Sequence, residues 1–114
     1  HRRHQGLMIK ADFFTRDGSL SGFRVSGHAG YAPAGEDIVC ASVSSAVQLT
    51  ANGITEVLGV GARVSARGER VSLQLDAPSA LAAAFLEALR LHLSLLAEEY
   101  PDYIQITCSE VTVC

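Results

Sequence analysis

Apolar and polar residues alternate over residues 8–15, with Ile9, Ala11 and Phe13 on one side and Lys10 and Asp12 on the other. Over residues 20–27, Phe23 and Val25 alternate with Arg24 and Ser26. A period of two is the pattern of a half-buried strand. Asp17-Gly18 lies between the two runs, and both residue types tolerate positive φ, so the segment predicts a β-hairpin. Gly27, Gly30, Pro33 and Gly35 then break the pattern and predict a long loop over residues 27–37. From Ile38 the period becomes helical. Val43, Ala46, Val47, Thr50, Ile54, Val57 and Leu58 share a face, Asp37 is the N-cap candidate and Gly59 the stop. Asn52-Gly53 weakens the middle of that helix.

A second hairpin follows. Val60, Ala62 and Val64 alternate with Gly61, Arg63 and Ser65, and Val71, Leu73 and Leu75 alternate with Ser72 and Gln74. Arg67-Gly68-Glu69-Arg70 is the turn between them. Pro78-Ser79 opens a second helix that runs to about Tyr100, where Pro101 ends it. Leu81, Phe85, Ala88, Leu89, His92, Leu95 and Leu96 form its apolar stripe, with Glu87, Arg90, Ser94 and Glu98 opposite. Residues 103–113 alternate again and are rich in β-branched residues, which predicts a last strand. The order ββαββαβ gives an α+β fold: a two-layer sandwich with an antiparallel-dominated sheet and two helices.

Composition narrows the function classes. The chain has 114 residues, 48% of them hydrophobic and 18% charged, which is a globular balance and one domain's length. Residues 1–7 have no periodicity and read as an added leader ahead of a native start at Met8, leaving 8–114 as a single domain. Removing Arg2 and Arg3 with that leader takes the net charge from −3 to −5. A negative balance argues against direct nucleic-acid binding, which needs a basic face. It leaves a basic peptide as an attractive partner. No apolar run approaches the roughly 20 residues of a membrane span. Three cysteines do not make a disulfide framework, and without an export signal reduced thiols in a cytoplasm are expected.

The chemistry concentrates around the glycine-containing loop. His28 closes a strand, and Cys40 is expected in the first turn of the following helix. There the macrodipole and unpaired N–H groups favour thiolate and can hold an oxyanion. A histidine in reach takes the thiol proton and returns it to a leaving amine. Against this stand plain alternatives: Cys40 as a small buried hydrophobe at the edge of the apolar stripe, and His28 as a strand-end residue bonding its own loop. His92 reads as a core or interface histidine, and Phe13, Phe14 and Phe23 as core. No metal-ligand spacing, phosphate loop or dinucleotide fingerprint is present, so neither metal nor cofactor is expected.

Gly27-His28-Ala29 and Gly35-Glu36-Asp37-Ile38-Val39-Cys40-Ala41, with the loop between them, resemble the signature of the ribosomal-processing cysteine protease family. The order of elements from Met8 onward fits as well. The resemblance implies a cytoplasmic, homodimeric cysteine endopeptidase without cofactor. It would remove a short N-terminal extension, with a pair of phenylalanines near the cut, from a large-subunit ribosomal protein. It implies Cys40 as nucleophile and His28 as general base. Asp37 would orient His28 or cap the helix. Ser44, one turn beyond Cys40, would touch substrate or stand as an ordinary helix serine. Gly27, Gly30 and Gly35 would let the loop fold over a peptide or serve ordinary turns. Two rivals come from other classes. A non-catalytic peptide-binding module of the assembling ribosome would bind without cutting. A thiol redox sensor would oxidise readily at Cys40 but has no nearby resolving cysteine.

Overall fold

Asp17 and Gly18 both take positive φ, 55° and 82°, the primed turn whose twist matches that of two right-twisted strands. They join β1 (Ile9–Arg16) to β2 (Ser19–Ser26). The computed structural model describes residues 8–27, 34–68 and 70–110, with backbone alone at 34–37. The remaining elements are α1 (Ala34–Asn52), a π-helical turn (Gly53–Val57), β3 (Ala62–Arg67), β4 (Arg70–Leu75), α2 (Ala80–Glu99) and β5 (Ile104–Glu110). The five strands form one sheet in the order β3-β4-β2-β1-β5. Every neighbouring pair is antiparallel except β1–β5, which is parallel with Ile9 opposite Ile104. The fold is α+β, with the element order expected from the periodicity.

Register explains which strand faces are buried. Phe13 stands opposite Phe23, Phe23 opposite Leu73, and Ala11 opposite both Val25 and Ile106. Phe13, Phe23, Ala11 and Leu73 are fully buried, together with Val39, Val43, Val47 and Ile54 from the first helical segment and Ala82, Leu86, Leu89 and Leu93 of α2. Both helices therefore cover this one face of the sheet. The stretches Ile38–Val57 and Ala80–Glu99 are long and apolar enough by composition to cross a bilayer, contrary to the reading of the sequence. Here each turns one side into the sheet's core.

Three expectations about the helices change. First, α1 begins at Ala34, so Asp37 is its fourth residue and not its N-cap. The acidic residues at positions 36 and 37 suit the positive end of the dipole, so the helix extends back into the predicted loop. Second, Val57 is 77% exposed. The π turn, closed by Leu58 N–H donating to Gly53 O five residues back, slips the helical phase and rolls Val57 outward. An added Cβ at Gly53 would lie 2.4 Å from the Phe85 ring, so Phe85 of α2 packs directly on the turn where it carries no side chain. Third, α2 buries the row Ala82, Leu86, Leu89 and Leu93, while Leu81, Ala88, His92 and Leu95 face out. The helix opens at Pro78-Ser79 as expected, and Ser79 is its N-cap, with the hydroxyl accepting from Ala82 N–H.

β5 is tied to β1 by more than its ladder. Thr107 Oγ1 donates to Asp12 Oδ1 at 2.6 Å, and Arg24 Nη2 donates to Oδ2 at 3.1 Å. The Thr107 hydroxyl, and then the Arg24 guanidinium, hold the Asp12 carboxyl below its ordinary range against the opposing effect of partial burial. A folded-state carboxyl that binds its proton less tightly than the unfolded one adds stability that is complete above the unfolded value of about 4. That stability is lost as pH falls through the lower folded value. In denaturant titrations from pH 6 to pH 2, Asp12→Asn should remove this part of the acid sensitivity, its deficit against wild type shrinking toward the acid end. An equal deficit at every pH would show that the ionised form contributes nothing.

Candidate active site

Cys40 is the seventh residue of α1, one turn further in than the sequence suggested. The unpaired N–H groups of a helix belong to its first turn, so they do not surround this thiol, and the dipole acts on it weakly. The expected oxyanion site at the helix start is thus displaced from Cys40. The residue is 7% exposed and belongs to the core cluster, yet it also lines a groove of about 320 Å³. Both readings of Cys40 therefore meet in one position: its body packs into the core while the groove reaches it.

The groove is walled by α1, by Ile9 of β1, by the end of β2 and by the β3–β4 hairpin. Along α1, Cys40, Ser44, Gln48 and Asn52 follow one another at four-residue intervals and form a ridge along its wall. Ser26 and Val25 enter from the end of β2, and Val64, Ala66 and Val71 from the β3–β4 hairpin. The walls are largely apolar, with Ser44, Gln48 and Asn52 as polar points, the composition of a small-ligand or peptide side-chain pocket. Ser44 is exposed on this wall, as required for a substrate contact. Gln48 and Asn52 escaped the reading of the sequence, although extending the four-residue row beyond Ser44 would have found them. The hairpin's part in the groove needs the sheet order and leaves no local signal.

Gly27 follows the last residue of β2 with φ at 92°, and a Cβ there would meet Met8 O at 2.1 Å. It is a glycine by necessity of backbone approach, which fixes where the chain leaves the sheet. His28 and Gly30 lie outside the described residues. Gly35 and Asp37 are described only as backbone, the second and fourth positions of α1. Ser26, two residues before His28, and Cys40 line the same groove.

His92 is exposed and lines a separate cleft between α1 and α2 with Ser45 and Leu49, away from Cys40 and outside the core. Phe13 and Phe23 are core, their ring centroids 6.3 Å apart. Phe14 instead lies on the opposite face of the sheet under Arg24. Cys108 is exposed on β5, and Cys114 lies outside the described residues. Among the described residues, no three His, Cys, Asp or Glu side chains gather as a metal site would require.

Among curated proteins none matches this chain. Among solved structures, SMU.848 from Streptococcus mutans matches with 26% identity and a TM-score of 0.84 over 94% of this chain and 98% of that one. The essential ribosomal processing protease Prp from S. aureus, in complex with a covalently linked product peptide, matches with 25% identity and a TM-score of 0.79, covering 89% of this chain and 99% of that one. The same protease with a substrate peptide gives 24% identity and a TM-score of 0.81, with the same coverage. The profile of the cysteine protease Prp family matches residues 8–105, and the chain belongs to that family.

Proposed function

We propose that this protein is a cytoplasmic cysteine endopeptidase that removes a short N-terminal extension from a large-subunit ribosomal protein. The observation that carries the reading is the convergence of Cys40 and the strand end leading to His28 on one groove. Family membership supports the protease chemistry, and the peptide complexes of the S. aureus protein support an extended peptide as ligand.

In this mechanism His28 takes the Cys40 thiol proton as Sγ attacks the scissile carbonyl. The tetrahedral intermediate collapses to a thioester, and the amine leaves with the proton from His28. Water, deprotonated by the same histidine, then hydrolyses the thioester and frees Cys40. Ser44 contacts the bound peptide from the α1 wall. A homodimer is part of the proposal, supported by the uncovered apolar residues Ile38 and Leu49 of α1 and Leu81, Leu91 and Leu95 of α2.

Mass spectrometry of an extension peptide carrying the phenylalanine pair, incubated with wild type or Cys40→Ala, tests the reading. The expected result is a single cut beside that pair, absent in the variant. Equal binding by both forms with no cut by either would replace the protease by a peptide-binding module.

A further inference from the structure

The face of the sheet turned away from the helices carries a charge pattern opposite to that of the whole chain. Residues 8–114 contain seven basic residues, and five of them, Lys10, Arg24, Arg63, Arg67 and Arg70, fall on this face; the others are Arg16 and Arg90. Asp12 is the acid among the described strand residues of this face, and it is already engaged by Thr107 and Arg24. Glu69, in the turn between Arg67 and Arg70, lies outside the described residues. Register sets these side chains in rows across the strands. One row reads Arg63, Gln74, Gly22, Phe14 and Ser109, and the next Ser65, Ser72, Arg24, Asp12 and Thr107. Beyond them Arg67 stands directly opposite Arg70.

Three features of this face ask for a ligand. Like charges directly opposite on neighbouring strands are unfavourable, and among the described residues Arg63, Arg67 and Arg70 have no ion-pair partner. Gln74 Nε2 is buried at the floor without a hydrogen-bond partner among the described residues. The Arg24 guanidinium lies 5.5 Å over the Phe14 ring and is anchored by Asp12, which makes a flat, fixed cationic surface. Arg67, Arg70, Gln74, Arg24 and Phe14 line a shallow depression of about 1040 Å³, and Arg63 stands opposite Gln74 on the edge strand.

The geometry points to a docking surface for single-stranded RNA on the open face of the sheet. Arg63, Arg67 and Arg70 would contact phosphates, a base would stack on the Arg24–Phe14 platform, and the Ser65 and Ser72 hydroxyls would face the sugar. Polyanion binding follows from the charge pattern, and the platform favours bases over a plain acidic chain. The choice of RNA rests on the ribosomal reading proposed above. The net charge of −3 argued against nucleic acid only because it averages over a surface whose charges are segregated.

Fluorescence anisotropy of a labelled single-stranded RNA dodecamer with the full chain, without protease substrate, tests this apart from cleavage. Three phosphate contacts on a single strand predict an affinity loss of about twentyfold between 50 and 200 mM salt. Arg67→Gln/Arg70→Gln, with folding checked by its melting temperature, should bind more weakly and lose only about threefold over the same range. Arg24→Gln should weaken binding at both salt concentrations. No RNA binding at 50 mM salt, or binding unchanged in the double variant, would overturn the proposal. So would equal affinity for a DNA dodecamer of the same sequence, or for a polyglutamate peptide. Peptide cleavage by the double variant is measured in parallel, so that loss of RNA binding with intact cleavage leaves the protease reading standing.

Discussion

Cys40→Ser should fold like wild type and lose at least about a thousandfold in kcat/KM for the extension peptide. The substitution keeps the side chain's length and its place against the core, so the melting temperature should change little. What it removes is nucleophilicity. A thiol is a few per cent thiolate at neutral pH, whereas a hydroxyl needs a strong base at the moment of attack. The position makes that demand hard to meet. Cys40 lies in the second turn of α1, where the helix dipole contributes little. In the proposed mechanism activation therefore falls on His28, and His28→Ala should share most of the loss. Steady-state kinetics with the peptide, read beside thermal melts, separate this from misfolding. A serine variant within tenfold of wild type would remove Cys40 as the attacking atom.

Phe23→Ala should cost about 3–5 kcal/mol and lower the melting temperature by about 15 °C. Phe23 is 0% exposed and sits between Phe13 on one neighbouring strand and Leu73 on the other. Its ring tilts 50° against that of Phe13, an arrangement that adds to plain area burial. The cavity would open on the central strand of the sheet, where neighbours on both sides are held by ladders and cannot collapse inward. Domains of this size are stable by only about 5–15 kcal/mol, so the variant should be marginal at 37 °C. Val57→Ala, at an apolar but 77% exposed site outside the proposed dimer face, is the control and should shift the melting point by a few degrees at most. Equal losses from both would mean that the burial of the Phe23 ring is not what holds the sheet.

Much of this fold is legible in the order of residues. Both hairpins, their turns and the five strands follow from period-two alternation punctuated by Asp17-Gly18 and Gly68. The stripe on α2 is not, because two apolar sets interleave on that helix. Leu81, Ala88, His92 and Leu95 make as good a pattern as Ala82, Leu86, Leu89 and Leu93, and only packing against the sheet chooses between them. The early start of α1 hides behind Pro33 and Gly35, which suit a loop as well as a helix entrance. At the site, His28 and Cys40 stand out through the surrounding motif, whereas Gln48, Asn52 and the β3–β4 hairpin depend on distant strands coming together. The basic face needs register: each arginine alone is an ordinary exposed residue, and only the strand order β3-β4-β2-β1 places them side by side.

The parallel pairing of β1 with β5 bears on how the protein is born. Asp12 and Thr107 are 95 residues apart in the chain, and β1 has no neighbour on that side until β5 has been synthesised. At the usual pace of translation that interval is about 5–20 s. Throughout it the nascent chain presents an unpaired strand edge, Ile9–Arg16, to whatever else is emerging nearby. Sheet closure is therefore among the last events, and a ribosome that stalls before residue 104 releases a chain whose hairpins are made but whose first strand is still open on one side.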